Sequence, residues 1–343
     1  MAELTGNPGW NVGDARARSK RLTLPWRRDL HRDAMLVIGL LVAIAQVTRI
    51  LPTPGDAQAY WLAGTSSELY PDRWSQLDGG QFLFYPPPVA QISTLLQPIG
   101  WSAFLMGWTI LIFACFWYCA GRWSLPLVAI GLLPVVGIHV PYVETFLGYA
   151  LLGNMQWILA ALVIVSIRHS AGWAGLVVTK TGPAIGGLWH VFRGEWRAAG
   201  VAAASTIAVV AVSFGFAPHL WTDWIAFAIR NYDLSDPPQP LFPIPFGLRL
   251  AIAAILLLWG ARTNRAWTVP IAAGWAIPAL YGMAFLPFWI AASRLRRGTA
   301  ARSHLDSVIR RIGMTSFAPP QLELEPVPTS RSRRRTYFRS LGD

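Results

Sequence analysis

Between residues 56 and 88 an acid-headed run, DAQAYWLAG, is followed by ELYP and then FLFYPPP, all lying between two long apolar segments. Asp56 comes directly after Pro-Thr-Pro-Gly, where the first apolar run has just broken, and Tyr60, Trp61 and Tyr85 follow it. Packing alone explains such a carboxylate poorly; a catalytic side chain facing a lipid-borne substrate is expected at that place. Lys180, next to Gly182 and Pro183 inside another apolar stretch, is the matching cation, and ionisable groups at membrane depth are commonly functional. Asn154 and Gln156 open a further apolar run, Asp223 sits in a WTDW motif, and Glu144 stands in a short stretch between two apolar segments.

Each of these residues also has a plainer reading. Asp is favoured at helix N-caps, so Asp56 could simply cap the helix after Gly55. Lys180 could snorkel to a headgroup. Tyr60, Trp61 and Tyr85 could be interfacial belt residues rather than substrate-facing rings, and Asn154 and Gln156 could bond helix to helix rather than hold substrate. Pro86, Pro87 and Pro88 fix the entry to a helix. His139 and His219 read as satisfied edge residues rather than metal ligands. No HExxH-like, Cys/His or acidic grouping has convincing metal-ligand spacing, so no metal site is marked out, the metal requirement stays open, and no cofactor is expected. Asp223 and Glu144 are the reserve acids.

The elements that must position these residues are membrane helices. The chain has 343 residues, 54% hydrophobic and only 13% charged, with several apolar runs approaching the roughly 20 residues that cross a bilayer. Of 29 basic residues, seven lie within 1–33 and eleven within 294–343. That segregation is what the positive-inside rule predicts, with membrane lipid headgroups rather than nucleic acid as the counter-charge. Both termini are therefore expected in the cytoplasm of a cell-membrane protein. The expected fold is all-α and polytopic, with about 8–10 transmembrane or half-membrane helices and an interfacial helix in the first outer loop.

In chain order, 1–33 reads as a basic cytoplasmic leader, 34–293 as the transmembrane domain, and 294–343 as a basic, largely disordered cytoplasmic tail. Within the domain, 34–51 is expected to be the first span and 52–100 an outer loop whose residues 88–97 form the interfacial helix. Further spans are expected at 101–120, 125–140, 153–167, 197–216 and 247–260, with a second outer loop at 217–246. The Gly-Pro break in 172–192 favours two half-helices folded as a hairpin over one span, and Pro270, Pro278 and Pro287 point to another broken pair in 266–292. Cys115 and Cys119, four apart on one apolar helix, read as small hydrophobes rather than a disulfide or zinc pair.

DAQAYWLAG, ELYPDRW and FLFYPPPVAQISTLLQPIG together resemble the first outer loop of the GT-C glycosyltransferases, and most nearly that of glycosyltransferase family 87, the polyprenyl-phosphate-sugar-dependent group of mannosyltransferase type. GNMQWILAALV and VTKTGPAIGGLWHVFRGEWRAA resemble further segments of that family, with Gly153-Asn154-Met155-Gln156 and Lys180-Thr181-Gly182-Pro183 departing from its usual order and spacing. The resemblance implies transfer of a hexose, mannose foremost, from a polyprenyl-phosphate donor to a lipid-linked or glycan acceptor hydroxyl on the non-cytoplasmic face. A phosphate leaving group needs no strong general acid. One carboxylate to take the acceptor proton and cations to steady the departing phosphate are enough, unlike the two carboxylates of glycoside hydrolysis. Asp56 is the expected base and Lys180 the expected phosphate contact, with Tyr60, Trp61, Tyr85, Asn154 and Gln156 as substrate-binding candidates. The competing reading is a small-molecule or lipid transporter, or a non-catalytic scaffold.

Overall fold

A computed structural model describes residues 26–66, 69–70, 85–132, 146–230, 242–278, 280 and 284–296. These lie in one compact unit, 1–297, and among them there is helix and no strand. Helix α1 (Trp26–Val47) is followed by the short α2 (Gly55–Leu62), then α3 (Pro87–Leu96), α4 (Trp101–Ala120) and α5 (Ser124–Leu132). After 133–145 come α6 (Phe146–Leu151), α7 (Gln156–Ser166), α8 (Gly172–Thr179), α9 (Leu188–Phe192), α10 (Trp196–Phe216) and α11 (Pro218–Arg230). The described chain closes with α12 (Phe246–Arg262), α13 (Thr268–Trp275) and a last helical run, 286–296, here α14.

Among the described residues three helical stretches are long and apolar enough to cross a bilayer: Leu30–Val47, Trp101–Leu132 and Trp196–Phe216. The chain is thus an all-α integral membrane protein. Some boundaries differ from the sequence expectation. The first helix starts at Trp26 rather than in the mid-thirties and ends at Val47, because the chain turns at Thr48–Leu51 with Arg49 at φ 62. The α4 bounds coincide with the expected 101–120. The helical stretch then continues through a 3-10 turn, Gly121–Trp123, into α5, and the expected span at 125–140 passes beyond the described residues after Leu132. The helix expected at 88–97 is α3, with Pro87 and Pro88 in its first turn, where a missing N–H costs nothing.

Two broken segments form the heart of the C-terminal part. Residues 172–192 are interrupted after Thr179, pass through a 3-10 stretch, Gly182–Gly187, and resume as α9. Trp173, at the start of α8, lies against Gly186, Gly187 and the His190 ring, so the segment folds back on itself as the Gly-Pro signal predicts. The second break separates α13 from α14. Gly182 presses against the Ala276 carbonyl and the Pro278 ring, where any side chain would collide; the breaks therefore pack on each other. Arg249, 2% exposed, holds the second one, donating hydrogen bonds to the carbonyls of Ile244, Trp275, Ile277 and Pro278 at 2.6–3.1 Å. Backbone carbonyls freed by a helix break at membrane depth must find donors inside the protein, and one guanidinium supplies them.

Helix α1 packs along α4, and a buried polar chain joins them: Thr109 Oγ1 donates to Gln46 Oε1 at 3.0 Å, and Gln46 Nε2 donates to the Leu151 carbonyl at 2.8 Å. Stacked rings of Phe116 and Trp157, 4.0 Å between centroids, tie α4 to α7. Among the residues of α10 only Ser213 is buried, so much of its apolar surface is left for lipid. Cys115 and Cys119 are free.

Candidate functional site

Helix α2 carries the leading candidate. It starts at Gly55 with Pro54 at its N-cap, and no side-chain cap bond is present, so Asp56 lies inside the first turn and is not the cap. That disposes of capping as the explanation for the residue. A carboxylate in the first turn does lie where the helix dipole favours it. Asp56 N–H donates to the Leu152 carbonyl at 3.1 Å, and Asp56 Oδ2 accepts from Asn154 Nδ2 at 2.8 Å. The turn between α6 and α7 thus clasps the start of α2.

Gly153 makes this approach feasible. Its φ is 75, and a Cβ placed on it would lie 2.6 Å from Ala57 Cβ. Only glycine combines the left-handed backbone with so near a neighbour. The Gly153 carbonyl accepts from Trp108 Nε1 at 2.7 Å, and Asn154 Oδ1 accepts from the Gln156 backbone N–H at 2.9 Å.

Tyr60 is four residues after Asp56 and so shares its helix face. Its hydroxyl lies 3.0 Å from that of Tyr85, the two rings meet edge to face at 5.4 Å, and Trp108 closes the other side at 5.4 Å. Tyr70 donates to the Tyr85 carbonyl at 2.9 Å. Tyr60 and Tyr85 are buried. Trp61, on another face of α2, packs instead on Trp101 and Phe104.

Lys180 arrives from the first broken segment. Its ammonium sits 5.8 Å from the centre of the Tyr85 ring, and its charge acts on Asp56. The two do not form an ion pair, and the Lys180 ammonium makes no hydrogen bond among the described residues. Burial pushes the Asp56 carboxyl above the ordinary carboxylate range, with the Asn154 hydrogen bond and the Lys180 charge pulling it back. An acid, an unpaired cation, two tyrosyl hydroxyls and an amide are therefore gathered where α2, the α6–α7 turn and the first break meet.

Of the remaining candidates, Gln156 is buried and its Oε1 has no hydrogen-bond partner among the described residues. Asp223 is exposed on α11, and its charge reaches Tyr70. Glu144 and His139 lie outside the described residues, and His219 is exposed on α11. Among the described residues no group of His, Cys, Asp or Glu could hold a metal ion. An open cleft of about 610 Å³ lies elsewhere, at the α9–α10 turn, where Glu195, Trp196, Arg197 and Ser170 line it.

The sequence reading named Gly153 only as part of a motif and passed over Trp108 and Arg249. A buried arginine three residues into the apolar α12 is a signal in its own right; the role of Trp108 had none, because its partner is a backbone carbonyl far along the chain.

Residues 82–307 match the family model of glycosyltransferase family 87. That span takes in Tyr85, Asn154, Gln156, Lys180 and Asp223 and begins after α2, which carries Asp56. No curated protein matches the chain, and no solved structure does.

Proposed function

The chain belongs to glycosyltransferase family 87, and from a membrane glycosyltransferase with this site we propose a hexosyl transfer of GT-C type with Asp56 as general base. The donor is a polyprenyl-phosphate-linked hexose, with mannose the first choice. The acceptor is a hydroxyl of a lipid-linked or glycan substrate on the non-cytoplasmic face of the cell membrane. The observation that carries this reading is the convergence of Asp56 and Lys180, without an ion pair between them and with no hydrogen-bond partner for the ammonium among the described residues. A carboxylate and an ammonium kept apart can each serve a different substrate group.

In this mechanism Asp56 takes the acceptor proton as the acceptor oxygen attacks the anomeric carbon, and the bond to the donor phosphate breaks. Lys180 steadies the charge that collects on the departing phosphate, a contribution of the kind that fixed cations make in dry sites. Tyr60 and Tyr85 line the ground between them. Gln156 offers a buried acceptor with no donor of its own, which suits a sugar hydroxyl. Burial of Tyr60 and Tyr85 disfavours belt positions at the membrane boundary.

The test is sugar transfer in membranes supplied with polyprenyl-phosphate hexoses, comparing the native chain with Asp56→Asn. Removing a general base costs about 100- to 10,000-fold in rate. Near-native transfer by Asp56→Asn would sink the assignment and turn the search to Asp223 and Glu144.

A further inference from the structure

We infer that Asn154 is the positioning residue of the Asp56 carboxylate rather than a substrate contact, which rests on Asp56 being the reactive acid. The geometry fixes which way the amide faces. The Gln156 backbone N–H can only donate, so the amide atom 2.9 Å from it is the oxygen. The nitrogen then necessarily faces Asp56, 2.8 Å from Oδ2. An amide N–H can only donate, and an ionised carboxylate only accepts; the pair suits Asp56 in its charged form.

Both ends of the amide are therefore committed within the protein, one to the start of α7 and the other to the acid on α2. The rest of the turn reinforces the orientation. Gly153 lets it lie against Ala57, Trp108 holds the Gly153 carbonyl, and Asp56 N–H is bonded to Leu152. With Oδ2 occupied, Oδ1 is the oxygen left to meet an acceptor hydroxyl. Asn154 thus selects which oxygen reacts and favours the charge that lets it react.

Among the described residues the charged and titratable groups facing Asp56 are Lys180 from the first broken segment, Tyr60 on α2 and Tyr85, and Asn154 is the hydrogen-bond donor to its side chain. A charge-assisted hydrogen bond of this kind is worth about one to two pH units of carboxylate ionisation.

The discriminating variant is Asn154→Asp. It keeps an oxygen for the Gln156 N–H, so the turn is retained, but replaces the donor to Asp56 with a second carboxylate. Asn154→Ala removes both bonds. The probe is dicyclohexylcarbodiimide, which modifies protonated carboxyls, applied to the full chain in membranes over a range of pH. The extent of modification is read on the Asp56 peptide by mass spectrometry. Loss of the donor raises the pH up to which Asp56 stays protonated, so the labelling midpoint should move up by about one to two units in Asn154→Ala and further in Asn154→Asp. An unmoved midpoint in Asn154→Asp overturns the inference, whatever happens to transfer. A moved midpoint, together with near-native sugar transfer by Asp56→Asn, leaves the positioning intact and overturns the base assignment alone. In the active enzyme, Asn154→Asp should lower kcat at neutral pH, with KM little changed and the acid limb of the rate profile displaced upward. A fall in affinity alone would return Asn154 to substrate contact.

Discussion

Replacing Gly153 by alanine should loosen the clasp between the α6–α7 turn and α2, and the cost can be worked from two separate sources. The φ of 75 at this position is left-handed, which costs a residue with a side chain about 1–2 kcal/mol. The new methyl would stand 2.6 Å from Ala57 Cβ, 3.1 Å from Ala57 N and 3.3 Å from Ala57 Cα, and overpacking of this kind costs about 1–3 kcal/mol. Gly153→Ala is therefore expected to lose about 2–5 kcal/mol of stability. Ala57→Gly alone should lose about 1 kcal/mol, the helix penalty of glycine. Combined, the two changes remove the methyl–methyl contact but not the backbone strain or the approach to Ala57 N and Cα. The double variant should thus be more stable than the sum of the single losses by about 1–2 kcal/mol. Unfolding in mixed detergent micelles, run on all four proteins, measures the cycle. Additivity within about 0.5 kcal/mol would refute the steric account. Sugar transfer should fall with Gly153→Ala and recover in part in the double variant, because the turn that moves also carries Asn154.

Further outcomes follow from the same geometry. Because the Asp56 carboxyl is raised above its ordinary value of 3.8 by burial, transfer should fail as pH drops through that raised value, and an acid limb at or below 3.8 would refute the raised carboxyl. The stability effect has the opposite sign: the folded state binds this proton more tightly than the unfolded one, so the contribution of Asp56 is lost as pH rises through the same interval. Lys180→Ala should cut turnover or donor affinity about 100- to 1,000-fold while the protein still folds and inserts; full activity would reduce Lys180 to a snorkelling residue. Arg249→Met should cost about 1–3 kcal/mol for each carbonyl left without a donor, and thermal unfolding in detergent would show it; an unchanged midpoint would mean that those carbonyls have other partners.

The parts of the fold written in local pattern were readable from the chain. Trp101–Ala120 is an unbroken apolar run, and Pro87 and Pro88 mark a helix start because proline has no N–H to lose in a first turn. The Gly-Pro break after Lys180 and the proline-bearing segment near Pro278 were legible for the same reason. Contacts between distant residues were not. Asp56 and Asn154 are each visible as polar residues beside apolar runs, yet nothing local says that they bond to one another, and the reading of Asn154 as a substrate contact followed from that gap. The start of α1 was missed because Arg27, Arg28, Arg32 and Asp33 look like solvated leader, although charged side chains continue a helix readily once its apolar part is anchored against α4.

Among the described residues Arg249 donates its hydrogen bonds to main-chain oxygens, with the Phe246 ring 5.5 Å away, and that sets how the region can change over evolutionary time. A carbonyl is the same acceptor whichever residue bears it, so Ile244, Trp275 and Ile277 could drift in identity with the grip intact as long as the backbone path is kept. The arginine has no such freedom. A lysine in its place would offer a point charge instead of a planar fork reaching several oxygens at once. The second break is thus a feature in which a single position carries the constraint and the positions it holds are free to vary.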